Sequence, residues 1–303
     1  MKMLFLVFAL ILGPLLNTAC LNIDGTTLDG GTAPDNSRPD LWLEDVQNRS
    51  SAEKLAEYRN KRGAAADAVS QKEFEAVEML MTGKILEGID GLLAIEKTTP
   101  GRYSTATNLG TGYELNGNNK EGLHWIIEGI KRNPNAHEGT EWLHQYILET
   151  KIKLESTPKL FQTNRMIELP ESFDLNSTVT IGNASYRIDK VSDALQHQLR
   201  ERMLFVKPAD PVVSEMLYAY ARIIAHTRTV EPALHLLRMA EGYGFADPAQ
   251  LRATQDRYER ARHLHFESHN WWINFWVCVV VGTSISSVVL LYILKKRSAR
   301  ARS

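Results

Sequence analysis

The chain has 303 residues, of which 44% are apolar and 23% charged, and its formal net charge is −1. That is the composition of a globular protein with ample core, and it excludes a disordered or fibrous chain. With Lys2 and the five basic residues of the last nine set aside, the body carries 29 basic against 36 acidic residues, which lacks the positive footprint of a nucleic-acid surface.

The first twenty residues, MKMLFLVFALILGPLLNTAC, join one Lys to an apolar run and end at Ala19-Cys20. The pattern predicts a signal peptide over 1–19, too short to span a bilayer comfortably and ending on a small residue. An uncleaved anchor is the alternative. Ala19-Cys20 also resembles a bacterial lipoprotein signal, which would make Cys20 a lipidation site. Asn17 stands where such signals carry Leu, and plain cleavage nearby is the other reading. The body between Cys20 and Cys278 has no cysteine, so it has neither a disulfide framework nor a cysteine metal site. Residues 20–40, rich in Gly, Asp and Pro, read as a flexible tether. Asp24, Asp29 and Asp35 within it fit no calcium loop.

Helical periodicity starts near Trp42. Shifted by 34 residues, ILEGIDGLLAIEKTTP (85–100) lies over NKEGLHWIIEGIKRNP (119–134). Gly88 meets Gly122, Leu92 and Leu93 meet Ile126 and Ile127, and Pro100 meets Pro134. A 34-residue self-match closing on Pro is the period of a two-helix solenoid. Gly110 leaves a shallow spot on the first helix where the second can approach, with Leu109 and Tyr113 inward. Gly122, Ile126 and Gly129 form the facing side, and Asn133 before Pro134 ends the unit.

The packing set Leu109, Gly110, Tyr113, Gly122, Ile126, Gly129 and Pro134 resembles the tetratricopeptide-repeat signature. The resemblance is specific over 103–136, weaker over 69–102 and fair over 214–247. It implies an all-α helical-repeat solenoid over 41–170 whose first helices line a peptide-binding groove. By the family's positional pattern the groove residues are Glu73, Val77 and Leu80, then Thr107, Thr111 and Glu114, then Glu141, Gln145 and Leu148. Such grooves grip a peptide carboxylate with Lys and Asn; Thr, Glu and Gln here imply a neutral or basic peptide instead.

HEGTEWLHQYILETKIKLE (137–155) reads as the first helix of a third repeat, with Leu143 and Ile147 inward. The repeat is interrupted over 171–190, where TVTI and SYRI flank Gly182-Asn183 and predict a short β-hairpin. Residues 191–268 resume as a second helical-repeat segment, with Leu217, Tyr220, Ala221 and Ile224 facing Ala233, Leu237 and Ala240. A polar capping helix over 247–266 closes it.

Residues 273–294 are free of charge, and twenty-two residues at ~1.5 Å each reach about 33 Å, enough for a transmembrane helix. Trp271, Trp272, Trp276 and Tyr292 mark its ends, and the basic tail 295–303 places the C-terminus in the cytoplasm. Gly282 and Ser286 form a small-xxx-small pair that could support a homodimer. Asn48, Asn176 and Asn183 head glycosylation triplets, which keep a eukaryotic secretory origin open beside the bacterial periplasm that Cys20 favours.

No catalytic motif emerges. His263, His265 and His269 do not share one helix face, and His137-Glu138 with His144 is not a zinc-protease spacing. No phosphate-cradling loop or nucleophile elbow occurs, so neither metal nor cofactor is expected. The sequence therefore reads as a non-enzymatic, membrane-anchored scaffold that binds other proteins outside the cytoplasm. The alternatives are a receptor or assembly subunit that uses the hairpin, and a cell-envelope enzyme.

Overall fold

The computed structural model describes residues 24–35, 38–62 and 67–264, together with Phe275, Trp276, Val279, Val280, Thr283 and Ser287, which are helical. The signal peptide, Cys20, His265, His269, Gly282 with Ser286, the rest of the 273–294 span and the basic tail lie outside the described residues. Among the described residues no helix is long and apolar enough to cross a membrane.

The chain is mostly helical, with two small hairpins. Strands β1 (Asp24–Thr26) and β2 (Thr32–Pro34) come first. Helices α1 (Pro39–Asn48), α2 (Ser51–Arg62), α3 (Ala68–Met81), α4 (Ile85–Thr98), α5 (Tyr103–Leu115), α6 (Asn119–Arg132) and α7 (Glu141–Ser156) follow. The second hairpin is β3 (Thr178–Ile181) and β4 (Ala184–Arg187). Then come α8 (Ile188–Phe205), α9 (Pro211–Thr227), α10 (Val230–Gly242) and α11, residues 248–264.

The 34-residue self-match is two successive helix pairs, α3–α4 and α5–α6, since α4 and α6 both start and end 34 residues apart. The glycines do what their spacing predicts. A Cβ on Gly110 would lie 2.5 Å from Ile126 Cδ1, and one on Gly129 would lie 2.6 Å from Thr107 Cγ2. At both positions of the α5–α6 pair a facing side chain, Ile126 or Thr107, therefore occupies the space that a Cβ would need. Leu109, fully buried, joins Ala76, Leu80, Ile89 and Leu92, with Tyr113 and Trp125 at the edge. It thus packs on the preceding pair as well as facing its own partner helix. Asn133 is extended (ψ 90°) before Pro134 and ends α6.

A second, larger core gathers α1 and α7–α11. Leu143 and Ile147 of α7 are fully buried in it, with Leu43 of α1, Leu195 and Leu199 of α8, and Val179 and Ile181 of the hairpin. Here the expected continuation of the repeat gives way to a bundle. Every residue of α9 from Val212 to Ala225 is buried, so this helix is a central rod rather than the amphipathic half of a stacked pair. Residues 248–264 form a helix whose Leu251, Tyr258 and Ala261 are buried along one stripe against the bundle core.

The second hairpin forms as predicted around Gly182-Asn183, with Ile181 paired to Ala184. Ile188, expected on its second strand, instead opens α8. The tether expectation is corrected over 24–35. Gly25 and Gly30 serve a turn and a close approach there, not a linker. Gly30 has φ +86°, and a Cβ on Gly25 would lie 2.6 Å from Thr229 Cγ2. The Thr26 N–H donates to Glu231 Oε2 at 2.9 Å, which docks the hairpin on α10.

Candidate functional site

The candidate groove residues follow the repeat register. Glu73, Thr107 and Glu141 occupy one position in successive units, Val77, Thr111 and Gln145 the next, and Leu80, Glu114 and Leu148 a third. Those positions project from α3, α5 and α7 toward one side. Glu73, Val77, Leu80, Thr107, Thr111, Glu114 and Glu141 all line a single cavity of about 490 Å3. Gln145 does not; it is half-buried and donates to Glu149 at 2.9 Å. Leu148 is fully buried and is also outside the lining.

The open groove implied by the sequence is corrected, because the chain itself covers this face. Trp42 and Val46 of α1, Lys54 and Tyr58 of α2, and His197, Arg202 and Phe205 of α8 form the opposite walls. The cavity lies where the two cores meet, a favoured place for ligand sites. Glu73, Glu114 and Glu141 have side chains only 5–7% exposed, so an extended peptide cannot run along them.

Each of the three carboxylates has internal partners, although Glu141 Oε2 is buried without a hydrogen bond, its nearest ring nitrogen being His144 Nδ1 at 3.7 Å. Glu73 accepts from Arg102 at 2.9 Å and from Ser104 and Thr105 at 3.0 Å, tying α3 to the start of α5. Glu114 accepts from Arg202 at 2.5 and 2.9 Å, from Lys151 at 2.7 Å and from His144 at 2.9 Å. Burial by itself would raise the Glu114 carboxyl, but the charge of Arg202, the His144 hydrogen bond and Lys151 hold it well below the usual range. Glu141 is likewise lowered: burial opposes its charge, and the hydrogen bond from His137 together with the nearby His144 overcomes it. His144 sits between the two, and although burial disfavours its charge, Glu114 and Glu141 raise it.

His137 donates to Glu141, which raises its pKa, and lies over His197 with ring centroids 4.6 Å apart. His137 and Glu138 have φ +48° and +58°. Left-handed backbone at two non-glycine residues is uncommon and carries strain. Here it turns His137 back toward Glu141. Burial, and then the charge of His137, lower the pKa of His197. Among the described residues no three His, Cys, Asp or Glu side chains are placed to hold a metal.

Lys54 is another buried charge on the cavity wall, 4% exposed. Its Nζ donates to the Met203 and Leu204 carbonyls at 2.9 and 3.2 Å, capping the end of α8. Burial, then the charges of Lys207 and Arg49, bring its pKa down to about 8. Sequence reasoning missed Lys54, His197, Arg202 and Trp42, since no local pattern connects them with 73–148. One signal was present: Glu114 takes a register position that Leu80 and Leu148 fill with apolar side chains, which calls for a buried cationic partner.

No protein-family model, curated protein or solved structure matches this chain.

Proposed function

We propose that this protein is a non-enzymatic, membrane-anchored binding protein of the tetratricopeptide-repeat type, exported so that its body lies outside the cytoplasm. Its binding site is the cavity between the repeat face and the bundle. The observation that carries this reading is the convergence on one cavity of about 490 Å3 of three repeat-register positions from α3 and α5, the first of them also from α7 through Glu141. That volume lies in the range of ligand sites, and side chains of mixed apolar and polar character line it. The signal-like N-terminus and the charge-free 273–294 stretch support the anchoring.

The test fills the cavity without touching an ion pair. Val77 and Thr111 are half-buried on its wall. Full-length wild type, Val77→Trp and Thr111→Trp would be purified from their native membrane, and co-purifying small molecules and proteins identified by mass spectrometry. Molecules present with wild type and absent from both variants support the reading. Equal recovery with all three chains would refute a cavity site.

A second reading places a protein contact on the β3–β4 hairpin. Trp142 stacks on Tyr186 at 3.8 Å and 15°, which fixes the hairpin rigidly, while Thr180, Asn183 and Ser185 stay exposed at its outer face and tip. Such a rigid polar projection suits a receptor or assembly contact.

A further inference from the structure

The cavity walls differ in character along their length. Toward α3 and the end of α8 they are apolar and aromatic: Trp42, Phe74, Val77, Leu80 and Phe205. A cavity of about 150 Å3 holds one benzene ring, so about 490 Å3 admits roughly 20 carbon-sized groups.

Among the described residues around this space, Lys54 is a buried charge without an ion pair, while Arg200 and Glu201, both exposed, also lack one. Glu114 has Arg202 and Lys151, Glu141 has its two histidines, and Arg49 has Asp45 and Glu57. Lys54 has main-chain carbonyls and no carboxylate within ion-pair distance among the described residues. Its charged neighbours Lys207 and Arg49 are both cations. The carbonyls of Met203 and Leu204 take two of its three N–H donors, and the Lys207 side chain is within contact of the ammonium. A buried cation beside other cations is a costly arrangement that one added negative charge relieves.

We propose that the cavity binds a single-chain carboxylate amphiphile of fatty-acid type, its head on the Lys54 ammonium and its chain along Trp42, Phe74, Val77, Leu80 and Phe205. The inference rests on the cavity being the binding site, and it adds the chemistry of the occupant. The added negative charge meets the buried Lys54 ammonium, which has no carboxylate partner, and the apolar walls take a chain of the length that the volume admits. No covalent step is involved.

The experiment uses the full chain in nanodiscs of zwitterionic phosphatidylcholine and a hexadecanoate carrying a photoreactive diazirine, with labelled residues mapped by mass spectrometry. Expected is labelling within α1, α3 and the end of α8. Unlabelled hexadecanoate should compete with it, and hexadecanol should compete at least about tenfold less well. Lys54→Met should weaken cavity labelling by a similar factor, Lys54→Arg should retain it, and Val77→Trp should abolish it. A melting curve for each variant separates lost binding from lost folding, and Val77→Trp tests the site independently of Lys54. Equal competition by hexadecanol, with labelling still abolished by Val77→Trp, would overturn the carboxylate inference and leave the cavity reading standing. Labelling confined to residues 273–294, unaffected by Val77→Trp, would overturn both.

Discussion

Glu114 of α5 and Arg202 of α8 meet in a two-pronged ion pair, 2.5 and 2.9 Å, with side chains 7% and 6% exposed. The pair joins the repeat-derived core to the bundle across 88 residues of sequence. It also explains why an acidic residue occupies a register position filled by Leu80 and Leu148 in the neighbouring units.

Removing one partner should cost more than removing both. Glu114→Leu alone strands Arg202 as a buried cation, while Lys151 is 19% exposed and keeps Asp210 at 4.0 Å, a loss of about 3–5 kcal/mol. Glu114→Leu with Arg202→Met should recover much of that, because apolar replacements of buried pairs are often neutral. Thermal and urea unfolding of the single and double variants measures the difference.

The same cluster sets an acid limit. Glu114 and Glu141 both have folded pKa values below their ordinary 4.5. Their contribution is therefore complete above pH 4.5 and is lost as pH falls through the folded values. Near-ultraviolet circular dichroism should show tertiary structure lost only on the acid side of that point. Arg202→Met removes the charge that holds Glu114 down and should move the transition to higher pH. His137 and His144 are raised above 6.5, so their contribution runs the other way: complete below 6.5 and lost as pH rises through their folded values.

Glu215 gives a separate pH dependence. It lies in the bundle core, 1% exposed, accepting from the Met166 N–H at 3.0 Å, with the Arg165 guanidinium 3.0 Å away as an ion-pair neighbour that donates no hydrogen bond to it. Burial outweighs Arg165 and pushes it up to about 7 from an ordinary 4.5. An acid raised on folding contributes stability below pH 4.5 that is lost as pH rises through 7. Glu215→Gln cannot ionise, so between pH 5 and 8 its stability should improve relative to wild type, by up to about 3 kcal/mol. Parallel curves for the two proteins across that range would contradict the assignment.

The glycine contacts predict a paired effect. Gly110→Ala forces a methyl to 2.5 Å from Ile126 Cδ1 and should cost about 1–3 kcal/mol. Ile126→Ala removes both nearest atoms, so the double variant should lose less than the sum of the two single losses. Unfolding midpoints of the four proteins complete the cycle.

The hairpin should loosen by itself. Tyr186→Ala removes the stack on Trp142, worth about 0.5–1.5 kcal/mol beyond buried area. Hydrogen exchange should quicken at 178–187 and stay unchanged in α3–α6. Faster exchange throughout the chain would show that the stack also supports the core.

The sequence by itself determined the α3–α6 helix pairs. Their signals are local: a 34-residue period, glycines where helices touch, and Asn133-Pro134 at the stop. The same holds for the β3–β4 turn at Gly182-Asn183, which two alternating runs flank. What only the tertiary structure decided was the fate of the inner face. Arg202, His197, Lys54 and Trp42 converge on it from helices far away in the chain, and burial, not periodicity, makes those charges matter. It also decided that residues 24–35 dock on α10 and that α9 is buried on all sides. A Gly-rich stretch serves a turn as readily as a linker, and an apolar run takes its packing from the elements that surround it.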